Sequence, residues 1–121
     1  MKKCFYPIFL LMLVSCDKRM DYDYFIINQC NEEIIVYVEV GRNNNSKSIV
    51  ILPNENELIY HGVGINELQD RLIEHFFNKI TINKEGKTSK LNYVDKNLWK
   101  FEPTSKDHAN SYLTVNPEDF E

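Results

Sequence analysis

Glycine is scarce in this chain of 121 residues. There are four, and none forms a phosphate-cradling loop or a Gly-x-Ser-x-Gly turn. The nucleotide-binding loop and the serine nucleophile on a strained elbow are therefore both missing. Cysteine occurs three times, as Cys4, Cys16 and Cys30. Histidine also occurs three times, as His61, His75 and His108, and no two of them have the i, i+4 spacing of a helical metal site. Asp95-Lys96-Asn97 is acidic and turn-like, but the twelve-residue calcium loop of a helix–loop–helix site is lacking. No basic cluster occurs, and the formal net charge is −4. A nucleic-acid binder needs clustered cations to displace counterions from phosphates, so that class is disfavoured. The same balance gives little electrostatic attraction to an anionic membrane surface. The long apolar run, residues 5–14, contains Pro7. It is too short for a membrane-spanning helix, which needs about 20 residues. No internal repeat is present.

What is there begins at the N-terminus. Lys2 and Lys3 precede the apolar run, and Leu13-Val14-Ser15-Cys16 closes it. A positive start, a short apolar stretch and small residues before a cysteine make an export leader. The four closing residues resemble the lipobox of bacterial lipoprotein precursors. The resemblance implies a diacylglycerol thioether on Cys16, cleavage after Ser15 and further acylation of the new amino terminus. Two or three acyl chains anchor stably, because each buried methylene contributes about 0.8 kcal/mol. The Asn-, Ile- and Lys-rich composition and short leash resemble the small lipoproteins of Bacteroidota. That resemblance implies an address in the cell envelope, at the outer membrane more than the inner, with the periplasmic or surface face left open. Asp17 alone resembles the inner-membrane retention signal of enteric bacteria.

This divides the chain into a signal peptide (1–15), a lipidated cysteine with a polar tether (16–22) and one domain (23–121). The leader takes two of the fourteen basic side chains with it, leaving twelve against eighteen acidic. With Cys4 removed and Cys16 acylated, Cys30 has no internal partner. The domain must then be held by its core, for which 43% apolar residues with seven Tyr and seven Phe suffice.

Strands are expected at 22–28, 34–40, 48–52, 57–60, 79–83, 88–94, 98–102 and 111–115. The clearest is 34–40, where Ile34, Val36, Val38 and Val40 share one face and Tyr37 and Glu39 the other. One helix is expected over 66–76, capped by Asn66 with Gln69 reaching back to it. Leu68, Leu72 and Phe76 then form a stripe that lids the sheet. Residues 83–87 make a hairpin turn and 104–110 a polar loop. Short strands between polar turns predict a mainly β chain, an antiparallel β-sandwich (immunoglobulin/prealbumin-like) with one short helix near 66–76. The second half also resembles the β-sandwich domain of uncharacterised Bacteroidota lipoproteins, which implies a fold and no activity.

The residues point to a non-catalytic binding or scaffolding module, held to the membrane through its N-terminal lipid. Its partner is an unknown protein or glycan; no nucleic acid, cofactor or metal is expected. Cys16 is the lipidation site. Tyr22, Tyr24 and Trp99 are the candidate binding surface, as an aromatic patch with Phe101 and Phe120, although Trp99 and Phe101 are better read as filling the core. Two alternatives stand beside this reading. One is an inhibitor or immunity-like protein acting against an envelope enzyme. The other is a small hydrolase or metal site built from His61, His75 and His108.

Overall fold

A computed structural model of the chain describes residues 18–41 and 45–121; the leader and Cys16 lie outside them. The protein is mainly β. Strands β1 (Arg19–Asn28), β2 (Ile34–Val40), β3 (Asn45–Ile51) and β4 (Asn56–Ile65) precede a four-residue helix, α1 (Ile73–Phe76). Then follow β5 (Phe77–Lys84), β6 (Lys87–Thr88), β7 (Trp99–Ser105) and β8 (His108–Val115). Two four-stranded sheets result, ordered β4-β1-β8-β7 and β3-β2-β5-β6. Within the first, β1 runs antiparallel to β4 but parallel to β8, so the sheets are not wholly antiparallel as expected. No helix among the described residues is long and apolar enough to cross a membrane.

The alternation in β2 is as expected. Ile34, Val36 and Val38 are buried, and Tyr37 is 46% exposed. In β1 the period of two starts earlier than the polar tether allowed. Met20, Tyr22, Tyr24 and Ile26 are buried, and Asp21, Asp23, Phe25 and Ile27 point outward between them. Residues 19–22 therefore belong to the sheet. Aromatic rings join the sheets: Tyr24 of β1 meets Phe77 of β5 edge-on at 5.2 Å, and Trp99 of β7, which Tyr24 meets within its own sheet at 5.6 Å, stacks on Phe77 at 6.3 Å. Offset and edge-on contacts of this kind favour the positive ring edge on the negative face.

The expected helix over 66–76 is only partly formed. β4 continues to Ile65, and Asn66 has φ +77° instead of capping a helix. A single 3₁₀ turn, Asp70–Leu72, leads into α1. Two glycines permit this arrangement. A Cβ on Gly62 would lie 2.6 Å from Phe76 Cζ, and one on Gly64 would lie 2.9 Å from Leu72 Cδ1. The lid thus packs directly on the β4 backbone. Residues 88–94 are likewise not a strand beyond Thr88. The Ser89 and Asn92 side chains accept from the amides of Leu91 and Val94, two residues on in each case. Such local bonds compete with a ladder. Residues 104–110, expected as a polar loop, are the tight β7–β8 hairpin.

Gly62→Ala is expected to cost about 1–3 kcal/mol, as overpacking of a filled core does. The Phe76 ring cannot retreat, since Tyr22, Tyr24 and Tyr60 surround it at centroid distances of 5.6–5.8 Å. Urea unfolding measures the loss, and adding Phe76→Leu should recover part of it.

Candidate functional site

The outward face of the β4-β1-β8-β7 sheet gathers the chemistry. Because β1 lies between β4 and β8, its outward side chains have neighbours on both flanks. Asp23 sits opposite His61 of β4 and diagonal to His108 of β8, which pairs with Asp21. Its Oδ1 is 2.6 Å from His61 Nδ1, and its Oδ2 is 2.9 Å from His108 Nε2. An ionised carboxylate only accepts, so both ring nitrogens donate. His61 Nε2 is also 3.4 Å from Asp21 Oδ1, and Arg19 Nε donates to that same oxygen at 2.9 Å. On the far side of His108, Nδ1 is hydrogen-bonded to Thr104 Oγ1 of β7. Five side chains on four strands thus extend outward from Asp23.

Burial alone would raise the Asp23 carboxyl. The hydrogen bonds from His108 and His61, with the charge of those rings, outweigh it and hold the group below its ordinary 3.8. Thr104, His108 and Asp23 also form a hydroxyl–imidazole–carboxylate series, the order that activates a nucleophile. Thr104 lies on the exposed rim of a hairpin, and its Oγ1 is also 3.3 Å from His108 O, which competes with the ring for the single hydroxyl proton. That second contact makes it a clamp on the turn.

Beside the network stands an aromatic pair. Phe25 and Tyr112, opposed across the β1–β8 register, stack at 5.3 Å with 17° between their planes. Asn110 Nδ2 donates to Tyr112 Oη at 3.2 Å. Both rings are half-buried, and Leu58 of β4 next to Phe25 is exposed. The face therefore joins a hydrogen-bonded charge network to an apolar patch. Shallow grooves lie elsewhere. One of about 370 Å³ on the outward face of the second sheet is lined by Tyr37, Glu39, Ser48, Lys79 and Thr81. Another of about 520 Å³ is lined by Glu67, Asp70, Arg71, Lys96 and Phe101.

The residues singled out from sequence lie elsewhere. Tyr22, Tyr24 and Trp99 come together, but in the core, at 1%, 2% and 8% exposure. They form no exposed surface, because the inward phase of β1 and the start of β7 turn them between the sheets. Tyr22 Oη accepts from the Gln69 amide, and Trp99 Nε1 donates to Tyr93 O, so their polar tips are satisfied inside. Phe120 is also buried and Phe101 half-buried. Of the three histidines, His61 and His108 share Asp23, whereas His75 lies on α1 against Phe76. Among the described residues no group of three or more His, Cys, Asp or Glu is arranged to hold a metal ion. Cys30 is a free, buried thiol, pushed up by burial, with Val115 O 3.9 Å from its Sγ. Cys16 lies outside the described residues. What sequence reading missed is Asp21 and Asp23; their alternation with Tyr22 and Tyr24 is the signal that puts both carboxylates on one strand face.

No protein-family model, curated protein or solved structure matches this chain.

The depressed Asp23 carboxyl has a defined linkage to stability. Folding favours its ionised form, so the stabilisation is present above the ordinary carboxylate range. It is lost as pH falls through the lowered value in the folded state. Asp23→Asn should therefore flatten the acid limb of a stability–pH profile below about pH 4 and lower stability at pH 7 by about 1 kcal/mol. Chemical denaturation at a series of pH values reads both.

Proposed function

We propose that this protein is a lipid-anchored module of the bacterial cell envelope that works by binding, not catalysis. In this reading its two sheets form an immunoglobulin/prealbumin-like β-sandwich. Cys16 carries the lipid. The partner, a protein or a glycan, is engaged through the outward face of the β4-β1-β8-β7 sheet. The observation that carries the reading is the stacked Phe25–Tyr112 pair beside the Asp23 network. Aromatic rings with polar tips, rimmed by oriented donors and acceptors, are the kind of surface on which few residues supply most of the binding energy. The aromatic contacts of Tyr24 with Phe77 support the sandwich. The lipobox at Leu13-Val14-Ser15-Cys16 supports the anchor.

Within this reading, an inhibitor or immunity-like role against an envelope enzyme is a special case in which the partner is that enzyme. The small-hydrolase reading has one supporting observation, the order Thr104, His108, Asp23.

Two experiments test these statements. Cys16→Ser is expected to release the protein from membranes or leave an uncleaved precursor; unchanged size and partition would refute the anchor. A photo-crosslinking amino acid at position 112 in cells should give a discrete adduct, while the same group at exposed position 37 on the other sheet gives none. Adducts at 37 alone, or at neither position, would refute the binding face. Thr104→Val with unchanged crosslinking would place that hydroxyl outside the binding function.

A further inference from the structure

The distance between the anchor and the fold is fixed by chain length, and it is short. Lys18 O already accepts from Asn66 N at 2.9 Å, so the chain is held to the domain from residue 18 onward. Two peptide steps separate Cys16 from Lys18, which span at most about 7 Å even fully extended. Three pieces of chain converge at that end of the sheet. They are the start of β1 at Arg19, the end of β4 at Ile65, and the Lys106-Asp107 turn, whose Asp107 O accepts from Asp21 N at 2.9 Å.

Resting on the lipid-anchor reading, we propose that this end of the domain is a membrane-contact surface, seated on the headgroup and upper acyl layer of the bilayer. Its apolar elements are Ile65, 53% exposed, and Val63, 46% exposed, both pointing outward from β4. Around them Lys18, Arg19 and Lys106 mix with Asp21, Glu67 and Asp107, so neither sign dominates. Contact therefore follows from the short leash and the two apolar side chains, and not from net charge, in keeping with an acidic chain. β1 then rises from the surface. The Asp21–His108 level stands about 7 Å up the strand and the Phe25–Tyr112 pair about 20 Å up, at roughly 3.3 Å per residue. The Asp21–His108 end of the charge network stands at headgroup height, and the aromatic pair stands clear of it.

The test uses the full-length protein purified from membranes and reconstituted into vesicles of phosphatidylethanolamine and phosphatidylglycerol with brominated acyl chains. Ile65→Trp and Leu52→Trp are compared, each added to the native chain, whose buried Trp99 gives a constant background. Leu52, 49% exposed, follows β3 near Asn28, at the far end of β1 about 30 Å away at ~3.3 Å per residue. The added emission of Ile65→Trp should be roughly halved by the brominated lipid, as for a side chain in the interfacial layer, and that of Leu52→Trp unchanged. Mass spectrometry of the same preparation reads the acyl groups on Cys16. An acylated chain with equal quenching at both positions overturns the contact surface and leaves the anchor standing. A chain without acyl groups overturns the anchor, and the proposal with it.

Discussion

The period of two along β1 is the constraint on which the rest of this molecule depends. Tyr22, Tyr24 and Ile26 face the second sheet, while Asp21, Asp23 and Phe25 face away from it. A slip of one residue would carry every one of these side chains to the other face. The tyrosines would lose their burial, and two carboxylates would enter an apolar core, a change that costs several kcal/mol per ion even after relaxation. Penalties of opposite kind thus fix one register. Because β1 is an inner strand, that register also decides which residues of β4 and β8 meet outside it.

Both ends of β1 are fastened by hydrogen bonds to neighbouring segments. At the start, Lys18 O accepts from the Asn66 amide. At the end, Asn28 is entirely buried, yet its Nδ2 donates to Glu32 O and Ile51 O and its Oδ1 accepts from the Cys30 amide. Its backbone amide and carbonyl bond to Glu55 and Asn54. A buried amide so completely satisfied is inexpensive to keep and costly to lose, because its partners would remain buried without it. The strand between these fastenings can then carry the aromatic contacts that join the sheets.

How much of this was legible in the sequence depends on whether the signal was local. β2 is legible to the residue because Ile34, Val36, Val38 and Val40 alternate with Ile35, Tyr37 and Glu39, a density of β-branched side chains that suits a helix poorly. The start of β1 was hidden, since Asp17-Lys18-Arg19 and the outward aspartates make a strand resemble a solvated leash. The helix was overextended because Leu68, Leu72 and Phe76 do fall at helical spacing. Only the contact of Phe76 and Leu72 with Gly62 and Gly64 explains why the strand runs on and the helix is short. The carboxylate–imidazole network could not be read at all. Its bonds join Asp23 to residues 38 and 85 positions away, and nothing local specifies that β1 lies between β4 and β8.

The chemistry of the outward face follows from the same geometry. Surface ion pairs contribute little to stability, about 0–1 kcal/mol, because water competes for both partners and long side chains lose freedom in holding them. Asp23 differs in that its carboxylate is largely covered and both oxygens are engaged by rings whose strands fix them. The donors and acceptors are therefore already oriented before anything meets them. The neighbouring Phe25–Tyr112 stack is held in the same way, by opposed strand positions and by the Asn110 bond to the Tyr112 hydroxyl. A surface whose rotamers are fixed in advance loses less freedom on association than one of mobile lysines and glutamates. The placement of these groups is thus set by the inner strand, and it is the physical reason the proposed binding role falls on this face and not on either open groove.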